Sequence, residues 1–101
     1  MLYFKVMKIE ITPEFQAKLK RQIIYISQDK PLAAKNLSKL IYSEIRKNGN
    51  MAFKHKISKF FRSDQIRELI VKGSSIIYEI VRSENKIVVF GFHKWEEELR
   101  E

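Results

Sequence analysis

Two hydrophobic periods divide the chain. Phe15, Leu19, Ile23 and Ile26 follow one another at spacings of four, four and three, which places one apolar stripe on a helix of about four turns. Thr12-Pro13-Glu14 supplies its start: threonine can cap, proline is tolerated at the first helical position, and glutamate faces the positive end of the helix dipole. Asp29-Lys30-Pro31 interrupts the pattern. A second helix begins there, with Ala34, Leu37, Leu40, Ile41 and Ile45 on one face. Asn48-Gly49-Asn50 stops it, and Gly49 suits the left-handed conformation beyond a helix end. Two amphipathic helices joined by a short turn predict an antiparallel helical hairpin whose apolar stripes need a surface to cover. Upstream, residues 3–11 alternate imperfectly and predict a strand, for which Lys8 to Ile11 suffices. Met7 is an alternative start of translation that would leave Met1 to Val6 as an extension.

From residue 57 the pattern becomes extended, with β-branched and aromatic residues dominating. Ile57 to Phe61 reads as a short strand and Arg62-Ser63-Asp64-Gln65 as a turn. Ile66 to Val71 is the next strand, turned by Lys72-Gly73-Ser74 into Ser75 to Val81. Arg82-Ser83-Glu84-Asn85-Lys86 turns the chain again into Ile87 to His93. Tight turns between consecutive strands imply an antiparallel meander. In its middle strand Ile76, Tyr78 and Ile80 point one way and Ile77, Glu79 and Val81 the other, so one face is free for the helices. The expected fold is α+β: a strand, a two-helix hairpin, then a three- to four-stranded antiparallel meander with the helices on one face, all in one domain over residues 1–101. Residues 94–101 form a charged tail in which Trp95 and Leu99 are the apolar anchors.

Composition narrows the chemistry. The 101 residues contain no cysteine and two histidines, which removes disulfides, thiolate metal sites and a cysteine nucleophile, and leaves no metal or cofactor expected. The three glycines are isolated at 49, 73 and 91, so a glycine-rich phosphate loop is excluded, and no serine sits in a nucleophile-elbow context. No secretory signal is visible, and no apolar run approaches the roughly 20 residues that span a bilayer. A cytoplasmic location with no membrane partner is expected.

Twenty lysines and arginines against twelve acids give a formal charge of +8, which favours nucleic acid, ribosomes or an acidic protein as partner. Residues 1–50 carry ten basic and four acidic residues, residues 51–101 ten and eight. Locally, Lys54, His55, Lys56, Lys59 and Arg62 form a run with no acid among them, whereas Glu96, Glu97 and Glu98 make an acidic patch. General acid–base cleavage of RNA would need only a base, an acid and cations for the phosphate, so a basic domain of this kind could bind or cleave.

The ordered set Ile66-Arg67-Glu68-Leu69-Ile70-Val71, Ile76-Ile77-Tyr78-Glu79-Ile80-Val81 and Ile87-Val88-Val89-Phe90-Gly91-Phe92-His93 resembles the C-terminal half of the RelE/ParE toxin superfamily. The Arg-Glu-Leu strand, the Ile-Ile-Tyr strand and the closing histidine are similar to ParE members. The order of strand, helical hairpin and meander extends the resemblance over nearly the whole chain. It implies the toxin of a type II toxin–antitoxin pair, neutralised by an antitoxin whose acidic C-terminal segment wraps it. Two targets follow: DNA gyrase for ParE-like members, or mRNA in the ribosome for RelE-like ones. RelE-like nucleases typically place an arginine just before the strand that here reads Ile76-Ile77-Tyr78, and ParE-like members often do, but this chain has Ser75. Lys94 is a weaker phosphate fork than arginine, although His93 can serve as base or acid. The resemblance therefore favours a ParE-like toxin that binds and inhibits gyrase. One alternative is a metal-independent, ribosome-dependent endoribonuclease using His93 with Lys54, Lys56 and Arg62. Another is an inactive relic that retains antitoxin binding.

The candidate contacts to a partner or nucleic acid are Lys54, His55, Lys56, Lys59, Arg62, Arg67, Lys94 and Trp95. Arg67 and Glu68 are neighbours on a strand and so point to opposite faces, with Arg67 expected in a salt bridge. Tyr78 reads as a core residue with a satisfied hydroxyl. Trp95 is either packed on the sheet edge or an interface anchor. Exposed sheet edges are compatible with a homodimer or a toxin–antitoxin hetero-oligomer.

Overall fold

The computed structural model describes residues 6–58 and 61–94. Strand β1 (Lys8–Ile11) leads into helices α1 (Pro13–Ser27) and α2 (Pro31–Lys47), followed by strands β2 (Lys56–Ile57), β3 (Ile66–Val71), β4 (Ser74–Val81) and β5 (Lys86–Lys94). The Thr12 hydroxyl accepts from the Phe15 amide at 3.1 Å, with proline at the first helical position. Thus α1 starts where threonine and proline together satisfy or remove the leading amide donors.

The five strands form one mixed sheet in the order β1-β5-β4-β3-β2. The expected meander is present from β2 to β5, all neighbours antiparallel, and β1 adds to it by pairing in parallel with β5, Ile9 opposite Ile87. Several boundaries differ from the sequence reading. The short strand expected over Ile57 to Phe61 is instead Lys56–Ile57, because pairing with β3 covers only Arg67 and Glu68. Ser74 belongs to β4 opposite Val71: Lys72 (φ 48°) and Gly73 (φ 78°) make a two-residue turn, whose double positive φ matches strand twist. Gly49 does not take the left-handed conformation expected of it. It sits in a 3-10 turn, Asn48–Asn50, where a Cβ would lie 2.9 Å from the Met7 carbonyl oxygen. Close approach of the chain entering β1, rather than a helix-ending φ, is what requires glycine here.

The core lies between the hairpin and one sheet face. Phe15 and Leu19 of α1 and Ile41 and Ile45 of α2 pack with Leu69, Val71, Ile76, Tyr78, Ile80, Ile87 and Val89, with Ile23, Leu37 and Leu40 partly buried against them. A register shift at Ile77/Tyr78 opposes Ile76 to Phe92 and Tyr78 to Val89. The extra residue in β5 thereby keeps Phe92 on the helix side, where its ring meets Phe15 edge-on at 6.0 Å. Ile26, the last member of the α1 stripe, faces a cleft at the hairpin tip instead of this core. Among the described residues no helix is long and apolar enough to cross a membrane.

Candidate functional site

Directly opposed residues in a ladder share a face. Lys56, Glu68, Ile77 and Gly91 are opposed in turn across β2 to β5, and they form the sheet face away from the helices. Glu68 is 1% exposed there. The Ser58 hydroxyl donates to its Oε2 at 3.1 Å and the Ser75 hydroxyl to its Oε1 at 3.4 Å, while the exposed Lys56 ammonium stands 3.7 Å from Oε1. A carboxylate at that depth is held by hydroxyl donors and one cation, as burial of charge requires. His93 is opposite Ser75 and so joins this cluster. Lys94, opposite Ser74, falls on the helix side and lines the cleft at the hairpin tip with Tyr25, Ile26, Leu37 and Leu40. His93 and Lys94, adjacent in sequence, serve different faces.

A second cluster sits at the other end of β3 and β4. Arg67 does point away from Glu68, but its guanidinium is not in the expected salt bridge. It donates to the carbonyls of Asp64 (2.8 Å), Phe53 (2.9 Å) and His55 (3.0 Å), bracing the two loops that flank β2 and β3. The Tyr78 hydroxyl donates to the Ala52 carbonyl, as its core reading anticipates. Burial pushes this phenol up to about 12, against the opposing pull of the Asn48 amide and the Arg67 charge. The Asn48 side chain is itself buried, and its amide approaches that hydroxyl without closing a hydrogen bond of ordinary geometry among the described residues. His55 is half-buried with its ring edge-on to Tyr78 at 6.4 Å. Desolvation lowers its pKa, the Glu44 charge opposing and the Lys54 charge adding to the shift.

The described members of the basic run are thus dispersed rather than gathered. Lys54 edges a depression between the 3-10 turns and Asn85, His55 packs inward on Tyr78, Lys56 faces Glu68, and Arg62 is exposed beyond β2. Lys59 and Trp95 lie outside the described residues. Among the described residues no group of three histidine, cysteine or acidic side chains could hold a metal ion. Sequence reasoning passed over Arg82, whose guanidinium lies over the Phe53 ring at 4.5 Å from its centroid. Both residues sit in short turns where hydrophobic periodicity carries no signal, and their proximity emerges only from the register of β3 with β4.

A family model described as ParE toxin of type II toxin-antitoxin system, parDE, matches residues 9–96. No curated protein matches the chain.

Proposed function

Since the chain belongs to the ParE toxin family of type II toxin–antitoxin systems, we propose that it is a cytoplasmic toxin that inhibits DNA gyrase by binding and is neutralised by its cognate antitoxin. The observation that carries the binding reading, as against RNA cleavage, is the environment of Ser75. At the position before the Ile-Ile-Tyr strand, where a phosphate-stabilising arginine would be needed, Ser75 is fully buried and donates to Glu68. The carboxylate of Glu68 engages Lys56, one of the two lysines that would otherwise serve a phosphate. Glu68 lies on the sheet face that carries His93, with Ser75 of β4 between them, and a carboxylate there opposes the build-up of negative charge on a phosphorane-like transition state. Lys94, on the opposite sheet face, is poorly placed to compensate.

The test is supercoiling of relaxed plasmid by gyrase, titrated with the purified chain. Inhibition near one chain per gyrase, with cleaved DNA trapped, supports the reading. A folded sample that leaves gyrase untouched and cuts mRNA on translating ribosomes replaces it with the nuclease reading.

A further inference from the structure

Arg82 is an exposed arginine just past the end of β4. Its guanidinium makes no hydrogen bond or ion pair among the described residues, and Glu84, two residues on, bonds Lys86 at 3.1 Å instead. What it does have is the Phe53 ring beneath it at 4.5 Å. That ring is 43% exposed and is flanked by Arg67 at 5.5 Å, itself fixed by three carbonyls. A guanidinium resting on an aromatic ring has already lost much of its rotamer freedom while its N–H donors remain uncommitted, so a planar anion binds it at reduced entropic cost. Beside the stack lies a depression of about 480 Å³ walled by Met7, Met51, Ala52 and Phe53 and edged by Lys54 and Asn85. Cations at the rim and thioether and methyl groups on the walls suit a carboxylate with an apolar neighbour.

We propose that the Phe53–Arg82 stack and this depression form an anchoring site for an acidic peptide, Arg82 taking a carboxylate through two N–H donors while an adjacent aliphatic side chain enters the depression. The inference rests on the neutralisation part of the reading above, since the cognate antitoxin is the polypeptide that would supply the segment. It is independent of the target. A single-stranded nucleic acid is the less suitable occupant, because the ring face on which a base would stack already carries a guanidinium.

The test uses the full chain and a short fluorescein-labelled peptide alternating glutamate and leucine, followed by anisotropy, with a glutamate–serine peptide and an oligothymidylate in parallel. The glutamate–leucine peptide binds more tightly than the other two. Arg82→Ala weakens it by about tenfold. Arg82→Lys weakens it nearly as much, because a point charge neither stacks flat nor forks. Phe53→Leu gives a smaller loss, and Lys39→Ala, on the exposed face of α2, gives none. Circular dichroism and the thermal midpoint of the Arg82 variants match wild type. Equal peptide affinity in wild type and Arg82→Ala overturns the proposal, as does tighter, Arg82-dependent binding of the oligothymidylate. The gyrase assay contains no peptide, so failure there and failure here are separate results.

Discussion

The two faces of the sheet are built on different principles. The helix side is a continuous apolar surface, with Ile76, Tyr78, Ile87 and Val89 all at 0–2% exposure against Phe15, Leu19, Ile41 and Ile45. The other side also has a buried centre, but its centre is Glu68 with Ser58 and Ser75. Burial on the first face rests on non-directional transfer and packing, which tolerate a volume-conserving exchange. Burial on the second rests on directional bonds, each of which leaves a desolvated partner behind when it is removed. The first face joins helices to sheet by packing, and the second holds a buried carboxyl group by hydrogen bonds.

Substitutions on the two faces separate these principles. The largest effect is expected for Ile87→Ala, which removes a fully buried side chain from between β1 and β4 and leaves a cavity. A loss of about 3 kcal/mol in urea unfolding is expected, and a loss below about 1 kcal/mol would mean that the core is less tightly packed than described. Next is Glu68→Ala. It strips the acceptor from two buried serine hydroxyls and is expected to cost about 2 kcal/mol, whereas Glu68→Gln, which keeps one acceptor oxygen, costs less. If both variants were as stable as wild type, the polar centre of the outer face would have no structural role.

Tyr78→Phe comes third, with a loss of about 1 kcal/mol at neutral pH for the bond to the Ala52 carbonyl. The same residue gives an alkaline signature. Its pKa rises from 10.0 to about 12 on folding, so between those values the unfolded chain ionises first, and the stability due to this group, complete below pH 10.0, declines as pH rises. Chemical unfolding across that window should show wild type losing its advantage over Tyr78→Phe. The smallest effect belongs to His55, whose pKa is lowered from 6.5. The unfolded chain takes up its proton first as pH falls below 6.5, so the stabilisation is present above that value and lost below it. His55→Asn should show a flatter thermal midpoint against pH in mildly acid buffer, and identical slopes would contradict the burial assigned to the ring.

Much of the helix side could be read from the sequence because periodicity reports burial directly. The stripe from Phe15 to Ile23, the apolar face of α2 and the alternation of β4 all fall where spacing places them. Pairing is another matter. A period of two shows that residues 8–11 are extended but not that β5 is their neighbour or that the pair is parallel. Nor could the length of β2 be inferred from the apolar run that follows it, since the ladder itself ends at Ile57. The outer cluster was invisible for the same reason. Glu68 and Ser75 look like ordinary solvent-facing positions of two strands until the turn at Lys72-Gly73 sets the register that makes them diagonal neighbours. Contiguity in sequence did not bring the described members of the basic run together either: the 3-10 turn Ala52–Lys54 followed by β2 sends Lys54, His55 and Lys56 in different directions.

The parallel pairing of β1 with β5 has a consequence for how the molecule comes into being. Strand β1 finds its neighbour only in β5, with the helical hairpin and three strands between them in the chain, so their pairing closes the longest loop in the fold. Until Ile87 arrives beside Ile9, no complete sheet exists. The β1–β5 pair is therefore the contact of the sheet that closes at the greatest entropic cost.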